Sequence, residues 1–367
     1  MRIGVVAPPW IPVPAPGYGG IEAVVAGTTR ELARRGHDVV LVAAPGSAVE
    51  GVQVVTPLER LPDQIGLTAD EWSHLAPAIE LLADRDVVID HSGPLGGTLL
   101  GRAGPPALHW VHGPLGDTER AVYDAMCRTT PRLRLVAISR AQQRDGAGLP
   151  WAGVAYNGLD LDGVPLGAGR GGYLAFLGRM SPDKGVAEAI SIARAAGMPL
   201  RIGAKCREPA EQEYFAREVE PLLGDDIDWL GEVDEAGKMA LLADAAALVF
   251  PIQWSEPFGM VMIESMAVGT PVLATRWGSV PEVVRDGVTG IVRDSPEELA
   301  RDFGLVRALD RADCRAHVAR NFSLTTMTDR HERLLATAAA GARRRRRPRF
   351  LQLEPPIGGL PGAQGSR

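Results

Sequence analysis

Apolar residues in this chain come in short unbroken runs separated by longer stretches of helical spacing. Arg2 to Ala7, His37 to Ala43, Asp86 to Asp90, Ala107 to His112 and Leu135 to Ser139 are rich in Val, Ile and Leu and short enough to be strands buried on both faces. Between the first two, Ile21 to Arg35 carries apolar residues at helical spacing and stops at Gly36. The plan then repeats. Tyr173 to Leu177, Leu200 to Ala204, Ile227 to Leu230 and Ala245 to Ile252 read as strands, with helices through Ala196 and over Ala236 to Ala245. Ser139 stands where an N-cap belongs, ahead of Arg140. This alternation predicts two doubly wound α/β units with parallel sheets. Leu161 to Gly172 is Gly-rich and aperiodic and reads as the linker between them. Glu297 to Ala308 and Phe322 to Ala339 read as closing helices.

The densest chemical punctuation lies in Phe250 to Val284. A strand leads into the loop Gln253 to Gly259, a helix runs from Met260 to Val268, and Gly269-Thr270-Pro271 ends it. The first amides of a helix have no intrahelical partner and sit at the positive end of its dipole, so the start at Phe258, Gly259 and Met260 is an anion site. Gly259 permits close backbone approach. Glu256 stands before that site and Glu264 about one turn inside the helix, so the two carboxylates bracket it, as the hydroxyls of a sugar and of a ribose bracket a diphosphate. A second helix start, Gly178 to Gly185, carries Arg179, a planar fork for phosphate oxygens, and Lys184, a mobile point charge. A third, Gly17-Tyr18-Gly19-Gly20, offers a phosphate or hydroxyl cradle, but it is not G-x-G-x-x-G and no acidic residue follows the second strand, so a dinucleotide fingerprint is absent. Asp90, His91 and His112 stand at strand C-termini, where open α/β sheets bind ligands.

Composition narrows the classes. With 367 residues, 46% apolar and 23% charged, the chain suits two globular domains. Three dispersed cysteines suggest neither a disulfide framework nor a zinc site and fit a reducing cytoplasm, and no apolar run reaches spanning length. The net charge of −6 conceals a tail, residues 341–367, with seven Arg and one Glu, so that the rest carries −12. An acidic body argues against general nucleic-acid binding. The run Arg343 to Arg347 reads as a disordered solvated tail, with peripheral contact to an anionic membrane as the alternative.

The Phe250 to Val284 stretch resembles the signature S-E-x-F-G-x-x-x-x-E-[AS]-x-A-x-G-x-P-V of retaining glycosyltransferases of the GT-B fold, family 4 (group 1). Ser255, Glu256, Phe258, Gly259, Glu264, Ser265, Ala267, Gly269, Pro271 and Val272 match. Gly178, Arg179, Lys184 and Gly185 match its G-R-x-x-x-x-K-G, and Asn157, Gly158 and Asp160 its N-G-[VI]-D, with Leu159 at the branched position. Gly278 to Glu282 match its G-x-x-x-E, and within Gly287 to Val292 the glycines Gly287 and Gly290 match its G-x-x-G-x-x-V, with the valine one position early at Val292. The likeness is strong over 173–293 and weaker over 1–45 and 86–160. Lys205-Cys206 departs from a common glycine pair and leaves the role of Lys205 open.

The resemblance implies two Rossmann-like domains facing a cleft: an acceptor-side domain over 1–165, a nucleotide-sugar domain over 166–310, and helices over 311–340, the last crossing back to the first domain. It implies sugar transfer of the hexosyltransferase kind from a nucleotide-diphosphate sugar, with retained configuration. His112 and Glu256 would approach the donor sugar, and Arg179 and Lys184 the diphosphate. Gly19, Gly20 and the amides of Phe258, Gly259 and Met260 would face phosphate or hydroxyls, Glu264 the ribose, and Gly231, Glu232 and Val233 the nucleobase. Tyr18, Asp90 and His91 are candidates for the acceptor side. No cofactor or metal is expected, since the cations and amides suit the departing diphosphate and no D-x-D ends a strand. The acceptor, whether small molecule, lipid or glycan, is not specified by these motifs. The rival readings are a nucleotide-sugar epimerase or hydrolase of the same fold and a catalytically silent nucleotide-sugar-binding protein.

Overall fold

Valine and isoleucine runs buried on both faces set the frame of the molecule, a computed structural model that describes residues 1–346 apart from Tyr18, Ala103 and Pro131. The first sheet holds β1 (Arg2–Val6), β2 (Asp38–Val42), β3 (Gln53–Val55), β4 (Val87–Asp90), β5 (Ala107–Val111), β6 (Leu133–Ala137) and β7 (Trp151–Val154). Its seven strands lie in the order β3-β2-β1-β4-β5-β6-β7, and every adjacent pair is parallel. The second holds β8 (Leu174–Arg179), β9 (Leu200–Lys205), β10 (Ile227–Gly231), β11 (Ala247–Phe250), β12 (Val272–Thr275) and β13 (Gly290–Arg293). Its six run β10-β9-β8-β11-β12-β13, again all parallel. The doubly wound fold expected twice from the sequence is present twice.

This order puts a topological switch point beside β1 and β4 in the first sheet and beside β8 and β11 in the second. Crevices at strand C-termini open there. The loop after β1 leads to the Gly20–Arg34 helix, the loop after β8 to the Val186–Ala195 helix, and the loop after β11 to the Met260–Ala267 helix. Glycine makes two of these entries possible. Gly185 has φ +74°, and a Cβ on it would meet the carbonyl oxygen of Pro251 at 2.2 Å. Gly259, at φ +75°, is the residue that turns the chain into its helix.

The domains are also tied together. Glu282 accepts hydrogen bonds from the amides of Arg140 and Ala141, at 2.8 and 2.6 Å, and from the Tyr156 hydroxyl at 2.7 Å. Ser255 donates to Asp145 at 2.6 Å. The last helix, Leu324–Arg346, packs against the Gly20–Arg34 helix and against β4, β5 and β7. It runs past Ala339, where apolar periodicity ends, because alanine and arginine remain good helix formers. The basic run therefore begins inside a helix rather than in a disordered segment, and its last residue, Arg347, lies with the rest of the chain outside the described residues.

Several elements were not legible, β3 and the Pro94–Arg102 and Pro209–Tyr214 helices among them. The Thr68–Leu81 and Asp117–Thr129 helices and β7 fall in segments with no clear signal, and the span over 303–308 is a run of tight turns rather than regular helix. Ser139 caps the Arg140–Asp145 helix as expected, accepting from the Gln142 amide at 3.0 Å.

Candidate functional site

A cavity of about 790 Å³ lies between the two switch points and takes its walls from both domains. The faces come close: a Cβ on Gly20 would sit 3.7 Å from Met260 Cγ, and one on Gly17 would sit 3.3 Å from Glu232 Oε1. Gly19, Gly20, His112, Lys184, Glu232, Val233, Glu256, Phe258, Gly259, Met260 and Glu264 all line it. Residues from five separate loops thus converge on one space, at the C-terminal ends of β1, β5, β8, β10 and β11.

On the second-domain side, charges are paired. Lys184 Nζ lies 2.5 Å from Glu256 Oε2 and 4.7 Å from the centre of the Trp254 ring, and Trp254 Nε1 donates to the same carboxylate at 3.1 Å. Both charged side chains are nearly covered, at 11% and 10% exposure. Glu264 accepts from Lys238 Nζ at 2.6 Å, and Glu235 holds the same ammonium at 2.7 Å. Burial pulls the Lys238 pKa down, but the two carboxylates outweigh it and the net shift is upward. Lys205, on the same wall, is held by Glu208 at 2.5 Å. Glu232 pairs with Arg207 at 2.7 Å. The wall is a row of ammonium–carboxylate couples around a helix start, able to accept an anion by exchanging partners.

Arg179 stands beside this row rather than in the lining. Its guanidinium turns to Asp183, four residues on, at 3.2 Å. Gly231, at φ +78°, turns the chain toward Glu232 and Val233 and does not itself line the cavity.

On the first-domain side His112 is backed by His91, whose Nδ1 lies 2.8 Å from His112 Nε2, so that one ring nitrogen donates to the other. Burial, and then the neighbouring His109 and His331, push the His112 imidazole down to about 3, and burial pushes His91 well below its ordinary value, leaving both rings neutral at pH 7. Behind them the Trp110 ring stacks on His331 at 4.6 Å. His91 supports His112 from behind and does not line the cavity. Asp90 does not reach it either. Fully buried, it accepts from the Ser92 amide and hydroxyl at 3.0 and 2.5 Å, and its other oxygen lies 2.6 Å from His109 Nδ1. It holds a turn, which leaves nothing of its carboxylate for an acceptor. Tyr18 lies outside the described residues.

Four of the lining residues that were not singled out from the sequence bear on its chemistry. Glu22, one turn beyond Gly19-Gly20, is buried, and burial raises its pKa. Its place in the first turn after a Gly-Gly cradle was the available signal. Lys238 had none, since a lysine in an amphipathic helix is ordinarily solvent-facing. Asn157 lay in a matched motif without an assigned role. It is buried, and its Oδ1 has no partner among the described residues. Trp10 sits in a Pro-rich loop that carries no periodicity.

Residues 167–306 match the family model described as "Glycosyl transferases group 1", and residues 18–162 match that described as "Glycosyltransferase Family 4". A glycogen synthase of Mycobacterium tuberculosis is 30% identical over 66% of this chain; the match spans 59% of that protein. A D-inositol 3-phosphate glycosyltransferase of Mycobacterium leprae is 28% identical over 76% of this chain and 78% of that protein. Among solved structures, AviGT4, a glycosyltransferase involved in avilamycin A biosynthesis, superposes with a TM-score of 0.68 at 26% identity, over 93% of this chain and 98% of that one.

Proposed function

The chain belongs to the group 1, family 4 glycosyltransferases of the GT-B fold, and from that membership we propose that it moves a sugar from a nucleotide-diphosphate sugar to an acceptor hydroxyl. Configuration is retained and no metal takes part. The observation that carries this reading is the row Lys184–Glu256, Lys238–Glu264 at the Met260–Ala267 helix start, facing His112 across one cavity.

In this reading the second domain holds the donor. The diphosphate meets the amides of Gly259 and Met260 and the Lys184 ammonium, which is freed from Glu256 as the anion arrives. Glu256 then turns to a hydroxyl of the transferred sugar, and Glu264 takes the ribose hydroxyls with Lys238 setting its orientation. Glu232 and Val233 border the base. Neutral His112, held by His91, can donate to or accept from a sugar hydroxyl without competing for the phosphate charge. As the glycosidic C–O bond breaks, the electron pair stays on the diphosphate oxygen, the acceptor oxygen forms the new bond to the anomeric carbon, and the acceptor's proton passes to the departing diphosphate. The amides and dipole of the Met260–Ala267 helix start face it, and Lys184 joins them on leaving Glu256, the arrangement by which preorganised electrostatics lowers a barrier. Three cysteines without a disulfide, Cys127, Cys206 and Cys314, support work in a reducing cytoplasm.

The test is a panel of nucleoside diphosphates and their sugars in a thermal-shift assay, followed by transfer to a mixed acceptor pool in the presence of EDTA. One nucleotide should stabilise the wild type, EDTA should leave transfer unchanged, and the product should show the donor's anomeric configuration by NMR. Glu256→Gln should bind the nucleotide and lose at least a hundredfold in transfer. Inverted product, or full activity in Glu256→Gln, refutes the assignment.

A further inference from the structure

The two halves of the cavity differ in chemistry. The second-domain half is built of charged pairs. The first-domain half is bordered by Trp10, Ile11 and Pro14 from the loop after β1, by Ile138 after β6, and by Ile65 from the segment between β3 and the Thr68–Leu81 helix. Ile65 is 63% exposed, an isoleucine held out at the rim of a cleft where water is its present neighbour. Among the described first-domain residues lining the cavity, Arg30 is the one permanent cation, and Asp160 neutralises it at 2.7 Å. The other ionisable group beside them is Glu22, and His112 is neutral. A phosphorylated acceptor would find no free positive charge on this wall and would face two carboxyl groups. One polar atom of the lining residues is buried without a partner among the described residues, Asn157 Oδ1, in a side chain whose residue is 4% exposed.

We infer that the acceptor is an uncharged molecule with an aromatic or alicyclic body, which packs against Trp10, Ile11 and Ile65 and directs a hydroxyl to Asn157. This rests on the reading of the cavity as a glycosyl-transfer site, and it sets the acceptor apart from sugar phosphates. The physical basis is desolvation. An apolar body gains by covering Trp10 and Ile65, while an anion would lose its hydration next to Glu22 and Asp160 with nothing in return.

The test uses a matched pair of probes differing in charge, 2-naphthol and 2-naphthyl phosphate, measured by equilibrium dialysis against the full chain with and without a saturating nucleoside diphosphate, UDP unless the thermal-shift panel selects another base. UDP fills the diphosphate site and keeps the phosphate probe from binding there. With UDP present, 2-naphthol is expected to bind at least tenfold more tightly than its phosphate, by the cost of stripping water from an unpaired anion. Ile65→Ser, at an exposed position that does not threaten folding, and Trp10→Ala should each weaken 2-naphthol about fivefold or more, because each removes apolar contact area. UDP affinity should stay within about twofold, since both side chains belong to the first domain and the proposed donor groups to the second. Tighter binding of the phosphate, or equal binding of 2-naphthol by wild type and Ile65→Ser, overturns the inference. Co-sedimentation with phosphatidylcholine vesicles that Ile65→Ser abolishes also overturns it, in favour of a membrane surface. If no nucleoside diphosphate of the panel binds, the donor reading falls separately, and the dialysis without nucleotide still decides whether this wall selects a neutral apolar body.

Discussion

Replacing Lys184 by methionine probes the most charged contact in the cavity. The perturbation keeps the length of the side chain and removes its ammonium. In the wild type that ammonium lies 2.5 Å from Glu256, with both side chains about nine-tenths covered. Removing one member of a buried pair strands the other charge and costs about 3–5 kcal/mol. Trp254 still donates to Glu256, and a hydrogen bond to a charged group retains roughly 1.5 kcal/mol or more. The single variant should therefore lose about 3 kcal/mol, a fall in Tm of roughly 6–12 °C for a domain of this size. Glu256→Gln should lose about 2 kcal/mol by leaving the lysine beside a neutral amide. The double variant strands neither charge and should sit close to Glu256→Gln alone, so the cycle returns a coupling of about 2–3 kcal/mol. The assay is urea unfolding of the four proteins at low and at moderate salt. A coupling below about 0.5 kcal/mol, or one that vanishes in 0.5 M salt, would mean that the pair is solvated, and the account of an ammonium exchanging Glu256 for a diphosphate would lose its ground. The same four proteins carry a functional control: the nucleoside diphosphate that the panel selects should raise the Tm of the wild type and leave that of Lys184→Met almost unmoved.

Three further outcomes follow from the same geometry. His331 is pushed down to about 4 by burial from an unfolded value near 6.5, so the unfolded chain binds a proton that the fold rejects, and the stability this group confers is lost as the pH falls through the unfolded value. Between pH 7 and 5 it should account for about 2 kcal/mol, read as a smaller pH slope of urea midpoints in His331→Phe, which keeps the stack on Trp110. Gly278 has φ +53°, and a Cβ on it would meet Glu256 O at 2.3 Å and Glu256 N at 2.4 Å; Gly278→Ala should cost more than about 2 kcal/mol and displace Glu256, giving weak expression or a folded protein without transfer. Glu282→Ala removes the acceptor for two amides and the Tyr156 hydroxyl across the domain boundary and should enlarge the radius of gyration in small-angle scattering while leaving both sheets intact by circular dichroism.

How far the sequence could be read depended on whether a residue's role is local. Strands buried on both faces announce themselves as apolar runs, so both parallel sheets were legible, and so were helix starts marked by glycine, because φ near +75° at Gly185 and Gly259 is a local demand. Glu256 and Glu264 were legible for the same reason: each is placed by the short chain segment that carries it. Asp90 was not, because whether a carboxylate at a strand end faces a ligand or a buried histidine is settled by which residue the neighbouring strand β5 sets beside it, here His109. Arg179 illustrates the opposite case: a local i,i+4 partner, Asp183, turns away a side chain that the motif directs to the cleft. Lys238, Trp10 and Ile65 come together only through the crossing of two domains, which no window of sequence contains. The division has a functional side. The half of the cavity that a short pattern specifies is the half proposed to hold the donor, where a diphosphate makes the same electrostatic demand of any protein. The half that was illegible is the apolar wall, where complementarity to one acceptor can be met by many combinations of side chains and therefore leaves no fixed spacing to find.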